Sequence, residues 1–208
     1  MKVKICGIKS VEAAMAAVDG GADLIGFVFA ESRRRISPTH AKQIADEIPN
    51  YVKKVGVFVN ETYENIIEIS NIVGLDYIQL HGDESPEFAK SLSRPVIKAW
   101  SILQKIEPNF PCDYHLIDSP PGGRYRGGTG DTFDWTLIDS LPINKNELIL
   151  AGGLNEKNVK EAIYRVQPAV IDVSSGVETN EEKDPEKMKA FVKAAKQAFQ
   201  ILKGSEEE

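Results

Sequence analysis

The sequence predicts an α/β fold, a single domain in which eight parallel strands close into a (βα)8 barrel. Three observations predict it. Eight short β-branched runs recur along the chain, each followed by Gly, Ser, Asn or Asp and then by an amphipathic stretch. The runs are almost continuously apolar, as strands are when helices cover one face of a sheet and side chains fill the other. Strand 1 leads into Cys6-Gly7-Ile8 rather than a G-x-G-x-x-G turn, which argues against a doubly wound open sheet.

In chain order the expected strands are Val3–Cys6, Leu24–Phe29, Lys54–Val59, Tyr77–Leu80, Val96–Ala99, Tyr114–Asp118, Leu148–Ala151 and Val170–Ser174. Helix starts are marked between them. Ser10, Thr62 and Asn155 are placed as N-caps. Ser37-Pro38, Ser85-Pro86 and Asp184-Pro185 each set a capping side chain before a proline whose missing N–H costs nothing at the first helical position. A further helix is expected around Phe133-Asp134-Trp135.

The 208 residues spread over eight units leave about 26 each, close to the lower bound for such a barrel. The expected organisation is one domain over 1–203 and a frayed acidic tail over 204–208, Gly-Ser-Glu-Glu-Glu. No run approaches membrane-spanning length and the first residues do not read as a secretory signal, so the expectation is a cytoplasmic protein with no membrane partner. A net charge of −6 argues against nucleic acid. Monomer and homodimer both remain open.

Cys6 closes strand 1 and Cys112 precedes strand 6, so the two thiols belong at opposite ends of the barrel, beyond the roughly 7 Å that a disulfide can span. Cys112 reads as structural. Taken alone, Cys6 would read as a small buried hydrophobe. Its position gives it a second reading, because the C-terminal strand ends form the active-site face of this fold.

Other residues gather at that face. Arg33, Arg34 and Arg35 follow strand 2; Gln79 and His81 end strand 4, Lys98 and Trp100 strand 5, and Asp118 strand 6. Gly152-Gly153-Leu154-Asn155 follows strand 7, and strand 8 carries Asp172 before Ser174-Ser175-Gly176. Small residues after strands 7 and 8, with a helix start behind them, are the usual phosphate site of phosphosugar barrels, since glycine lets backbone N–H groups approach the anion. The expected phosphate-binding residues are therefore Gly152, Gly153, Ser174, Ser175 and Gly176. Between Pro120 and Gly130 lies an eleven-residue loop with five glycines, directly after Asp118, which reads as a lid. Among His40, His81 and His115 only His81 ends a strand, which does not make a metal centre.

Motifs spanning the whole chain resemble phosphoribosylanthranilate isomerase of tryptophan biosynthesis. They are Lys4-Ile5-Cys6-Gly7-Ile8, Gly26-Phe27-Val28-Phe29, Arg34 with Ile36-Ser37-Pro38, Gln79-Leu80-His81-Gly82, Gly127-Gly128-Thr129-Gly130 with Thr132-Phe133-Asp134-Trp135, Gly152-Gly153-Leu154, and Asp172 through Glu178. The resemblance implies a TIM barrel that isomerises N-(5-phosphoribosyl)anthranilate to the 1-deoxyribulose 5-phosphate. It implies Cys6 as general base, Asp118 as general acid, and Arg34, Gln79, His81, Gly128 and Asp172 as substrate-binding residues. Arg34 is singled out from its neighbours because it stands two residues before Ile36-Ser37-Pro38, as the family's arginine does. The chain departs from the pattern at Asp131 and at Thr179-Asn180-Glu181-Glu182, which lacks a Pro-Gly.

An Amadori rearrangement suits these residue types. The furanose oxygen must be protonated so that the ring opens to an iminium, and the C2 proton must then be removed. The substrate's own nitrogen is the electron sink, so no cofactor is expected. A carboxylic acid serves the first step, and a thiol whose pKa nearby positive charge lowers serves the second. Two alternatives are weaker. The histidine-pathway isomerase would be expected to carry a carboxylate where this chain has Cys6, and a noncatalytic phosphosugar-binding protein has no need of the Cys6 and Asp118 pair.

Overall fold

The computed structural model describes residues 1–120 and 132–206. Eight parallel strands, β1 Lys2–Cys6, β2 Leu24–Val28, β3 Lys53–Phe58, β4 Tyr77–Leu80, β5 Val96–Ser101, β6 Tyr114–Asp118, β7 Leu148–Leu150 and β8 Val170–Val173, close into a barrel in sequential order. Closure runs through the pairing of β1 with β8, in which Lys4 lies opposite Asp172. A single polarity sends every strand's C-terminal end to one mouth.

Alternation within the strands separates two cores. Leu24, Val55, Ile97, Leu116, Ile149 and Val170 fill the barrel, while Val3, Ile25, Phe27, Ile78 and Ile171 join the larger cluster between strands and helices. On the same alternation Lys4, Cys6, Gln79, Asp118 and Asp172 point inward.

The helices are α1 Val11–Asp19, α2 Pro38–Glu47, α3 Tyr63–Val73, α4 Pro86–Ser91, α5 Val159–Val166 and α6 Pro185–Glu206. Ser10, Ser37, Thr62 and Ser85 cap the first four, each accepting from the backbone N–H three residues on. Asp184 does the same for Glu186 and Lys187 at the start of α6. Asn155 does not cap α5 as expected; it closes a turn, accepting from the Lys157 N–H, and Asn158 is the residue before the helix. Helix α6 is the longest of the described helices.

Among the described residues, two of the eight expected helices are not found. No helix follows β5, where Pro108 and Pro111 interrupt the connection, and β6 is followed, among the described residues, only by 3₁₀ turns at Trp135–Ser140 and Lys145–Glu147. The exposed wall is covered by side chains instead. Lys98 and Trp100, expected at the mouth, have the parity that points out of the barrel. Lys98 is ion-paired with Glu84 at 2.8 Å, both side chains 3% exposed, and its Nζ lies 5.4 Å from the Trp100 ring and 5.6 Å from the Phe110 ring. Trp100 Nε1 donates to His115 Nδ1 at 3.1 Å, and Cys112 packs on the same imidazole. Burial pushes the Cys112 thiol up to about 12, in keeping with an inert structural residue.

Candidate active site

The thiol of Cys6 stands at the end of β1, 8% exposed, beside the backbone of Gly26 on β2. A Cβ at Gly26 would lie 2.8 Å from Cys6 Sγ, so the glycine makes the space the sulfur occupies. Gly26→Ala should therefore displace the thiol and lower kcat by about 10², the cost of misplacing a reacting group by roughly 1 Å, with KM changed much less. Steady-state kinetics of the variant test this, and a kcat within threefold of the parent would show that the packing does not set the thiol's position.

Two residues before Cys6 on the same inward face, Lys4 is fully buried and ion-paired with Asp172 Oδ2 at 3.0 Å. The other oxygen of Asp172 is buried without a partner among the described residues. Burial raises the Cys6 pKa; Lys4 and Lys183 oppose it and Asp172 reinforces it. The expectation of a thiol lowered by its neighbours is thus corrected. Desolvation exceeds the attraction of both lysines, and the resting side chain is a neutral thiol.

Asp118 ends β6 and is 7% exposed. Burial pushes its carboxyl up to about 6, and Asp172 adds to the rise, while the N–H and hydroxyl of Ser119 work against it. Gln79 and His81, from the end of β4, approach the same acid. Gln79 Nε2 lies 3.1 Å from His81 Nδ1, and His81 Nε2 lies 3.8 Å from Asp118 Oδ2. An amide nitrogen can only donate, so in this arrangement Nδ1 accepts and the imidazole proton sits on Nε2, facing Asp118. Gln79 Oε1 is buried without a partner among the described residues.

Of the three arginines, only Arg34 is buried; Arg33 and Arg35 are exposed. Its side chain packs on Gly7, where a Cβ would meet Arg34 Cδ at 2.5 Å. The guanidinium makes two bonds to Glu178, Nε to Oε1 at 2.7 Å and Nη2 to Oε2 at 3.0 Å. Glu178 opens a two-stranded hairpin, β9 Glu178–Thr179 with β10 Glu182–Lys183, turned through Asn180 and Glu181, both at positive φ.

The loops after β7 and β8 interlock. Gly152 and Gly153 have φ of +87° and +60°, and a Cβ on Gly176 would lie 1.8 Å from the Leu154 carbonyl oxygen. Asn158 Nδ2 and Asn155 Nδ2 both donate to the Gly153 carbonyl, at 3.0 and 3.4 Å. The Ser174 hydroxyl donates to the Cys6 carbonyl at 3.0 Å, tying this rim to the thiol's strand, and Ser175 begins a 3₁₀ turn, Ser175–Val177.

The structure thus brings Cys6, Arg34, Gln79, His81, Asp118, Gly152, Gly153, Asp172, Ser174, Ser175 and Gly176 to one mouth. Gly128 and the glycine-rich loop from 121 to 131 lie outside the described residues. Sequence reasoning passed over Lys4, Gly26, Glu178 and Lys183. Lys4 carried a usable signal, a lysine in an apolar strand at the inward parity of Cys6. Gly26 meets Cys6 through the register of the paired strands β1 and β2, Lys183 meets Glu178 across the hairpin, and Glu178 meets Arg34 across 144 residues, none of which composition or periodicity displays. Among the described residues no group of three or more His, Cys, Asp or Glu could hold a metal ion, and no helix is long and apolar enough to cross a membrane.

A family model described as N-(5'phosphoribosyl)anthranilate (PRA) isomerase matches residues 3–194. The N-(5'-phosphoribosyl)anthranilate isomerase of Listeria monocytogenes serotype 4a (strain HCC23) is 51% identical over 200 residues, covering 94% of this chain and 98% of its own. The crystal structure of phosphoribosyl anthranilate isomerase from Thermotoga maritima superposes with a TM-score of 0.84 at 40% identity, covering 95% of this chain and 99% of that one. A crystal structure of monomers generated from the dimeric Thermotoga maritima enzyme has a TM-score of 0.81 at 38% identity, covering 95% of this chain and 99% of that one. A further isomerase structure, in complex with reduced 1-(o-carboxyphenylamino)-1-deoxyribulose 5-phosphate, has a TM-score of 0.79 at 39% identity, covering 95% and 99% of the two chains.

Proposed function

The chain belongs to the N-(5'-phosphoribosyl)anthranilate isomerase family, and on that premise we propose how its own residues carry the reaction. It is an enzyme of tryptophan biosynthesis that converts N-(5-phosphoribosyl)anthranilate to 1-(2-carboxyphenylamino)-1-deoxyribulose 5-phosphate by an Amadori rearrangement. Asp118 is the general acid. It gives its proton to the furanose oxygen, the C1–O bond breaks, and the anilino nitrogen supplies the electrons that form the iminium. Cys6 is the base. Its thiolate takes the C2 proton, and the electrons of that bond flow back to the nitrogen, leaving the enolamine that becomes the ketose.

The observation that carries this reading is the environment of Asp118, a buried carboxyl pushed up to about 6 at the mouth that also holds a buried thiol. Once Asp118 has given up its proton, the His81 Nε2–H facing it favours the carboxylate, with Gln79 fixing the tautomer. Gln79 Oε1 and Asp172 Oδ1, both buried acceptors without described partners, suit the hydroxyls of the sugar. Arg34 takes the anthranilate carboxylate. Glu178 engages its Nε and Nη2, and no described residue takes its Nη1 edge.

The phosphate belongs to the backbone N–H groups around Gly152-Gly153 and Ser174-Ser175-Gly176. Gly153 sits at positive φ, so Gly153→Val should both strain the turn and crowd the anion, raising KM by about tenfold or more. An unchanged KM in a variant that folds would remove phosphate from this rim. The unit is proposed as one catalytic domain over 1–203, cytosolic, working as a monomer or homodimer without a cofactor. The assay that tests the whole is conversion of N-(5-phosphoribosyl)anthranilate by the purified protein. Turnover of the histidine-pathway aminoaldose in its place would overturn the substrate assignment.

A further inference from the structure

One carboxylate at the mouth serves three cations. Glu178 Oε1 accepts from Arg34 Nε at 2.7 Å and from Lys183 Nζ at 2.7 Å, and its Oε2 accepts from Arg34 Nη2 and Arg33 Nη2, both at 3.0 Å. The side chains of Glu178, Lys183 and Arg34 are 5%, 4% and 9% exposed. Arg33 is exposed and also paired with Glu181, so the buried pair Arg34 and Lys183 against the one carboxylate of Glu178 leaves one positive charge in excess. Of the other acids nearby, Asp172 on β8 is held by Lys4, and Glu181 and Glu182 reach only the outer partners Arg33 and Lys9.

Unbalanced charge in a buried place is costly unless an anion completes it. The cluster is also braced against the catalytic strand. Lys183 Nζ donates to the Ser174 carbonyl at 2.9 Å and lies 3.3 Å from its hydroxyl, which in turn donates to the Cys6 carbonyl. Arg34 is gripped along one edge by Glu178 and backed by Gly7, next to Cys6. The anion that fits is a carboxylate meeting the remaining edge of the fork.

We propose that Glu178 is a positioning residue for substrate recognition, holding Arg34 in the orientation that binds the anthranilate carboxylate and fixing that contact relative to the strand of the base. The inference rests on the reading that Arg34 binds this carboxylate. It gives the β9–β10 hairpin a role in choosing an anthranilate over an unsubstituted aniline.

Dissociation constants test it, measured for reduced 1-(o-carboxyphenylamino)-1-deoxyribulose 5-phosphate and for the same compound without its carboxyl group. In Glu178→Gln, affinity for the carboxylated compound should fall by about tenfold, while the other changes by less than about threefold. Arg34→Met should lose the preference more completely, and the double variant should be little worse than Arg34→Met, since the two residues act through one contact. Glu178→Asp keeps the charge that holds three cations together but is one methylene too short to grip both nitrogens, and should lose part of the same preference.

Equal weakening of both ligands in Glu178→Gln would make the residue merely structural and overturn the proposal. So would tighter binding of the carboxylated compound, which would mark Glu178 as its competitor. If Arg34→Met keeps the full preference, the reading of Arg34 itself fails, an outcome distinct from failure at Glu178 alone.

Discussion

Cys6→Ser should lower kcat by about 10² to 10⁴, the usual cost of losing a general base, and leave KM within about threefold of the parent. Serine fits the space beside Gly26, so the ground-state contacts persist. Its hydroxyl cannot ionise at any working pH. The pH profile of the parent belongs to the same prediction. Burial holds the thiol above its ordinary value near 9 and holds Asp118 up to about 6, so between these values the resting enzyme is thiol with carboxylate. The reactive arrangement, thiolate with carboxylic acid, has the same number of protons. It is a minor tautomer whose share stays constant across that interval. The expected kcat/KM is therefore level from about pH 6 to beyond pH 8 and falls below pH 6. A steady decline from pH 6 to pH 8 would mean that the thiol ionises before the acid. Activity of Cys6→Ser within about tenfold of the parent would pass the base role to another group on this face, Asp172 first.

Asp118→Asn should abolish ring opening, lowering kcat by about 10² to 10⁴, and should at the same time make the protein more stable at neutral pH. The shape is kept, and the amide oxygen of the variant side chain can still accept from the Ser119 N–H that now bonds Asp118 Oδ1 at 2.8 Å. The stability follows from the pKa. A carboxyl at 3.8 in the unfolded chain and about 6 in the folded one is bound to its proton more tightly when folded, so ionisation is what folding opposes. The burden is absent below pH 3.8, grows as the pH rises from about 4 to about 6, and is complete above that. It amounts to at most about 3 kcal/mol. Urea melts of parent and variant at pH 5 and pH 8 should show the larger gain for the variant at pH 8. A gain that does not grow with pH would show that Asp118 is ionised at no cost, and would remove the physical basis of its acid role.

Much of the scaffold is legible along the chain because it is local. The eight strand runs match the eight barrel strands to within two residues at each end, and Ser10, Ser37, Thr62 and Ser85 cap the helices that begin beside them. Apolar runs, capping side chains and prolines act within a few residues, and sequence displays that range directly. The missing helix after β5 was within reach, since Pro108 and Pro111 stand in the segment that would have formed it. The facing of Lys98 and Trp100 was not, because a strand buried on both sides has no polar and apolar alternation from which to read its parity.

By itself the sequence determined the barrel, its order of strands and the presence of Cys6 and Asp118 at strand ends that must share one mouth. Only the tertiary structure decided what those groups are chemically. Lys4 meets Asp172 across 168 residues and Arg34 meets Glu178 across 144, while Gly26 yields its side-chain volume to a sulfur on another strand. The proton affinities of Cys6 and Asp118 depend on how little water reaches them and on which charges surround them. Desolvation and Coulomb energy are functions of distance in space, and chain separation carries no record of them until the barrel closes.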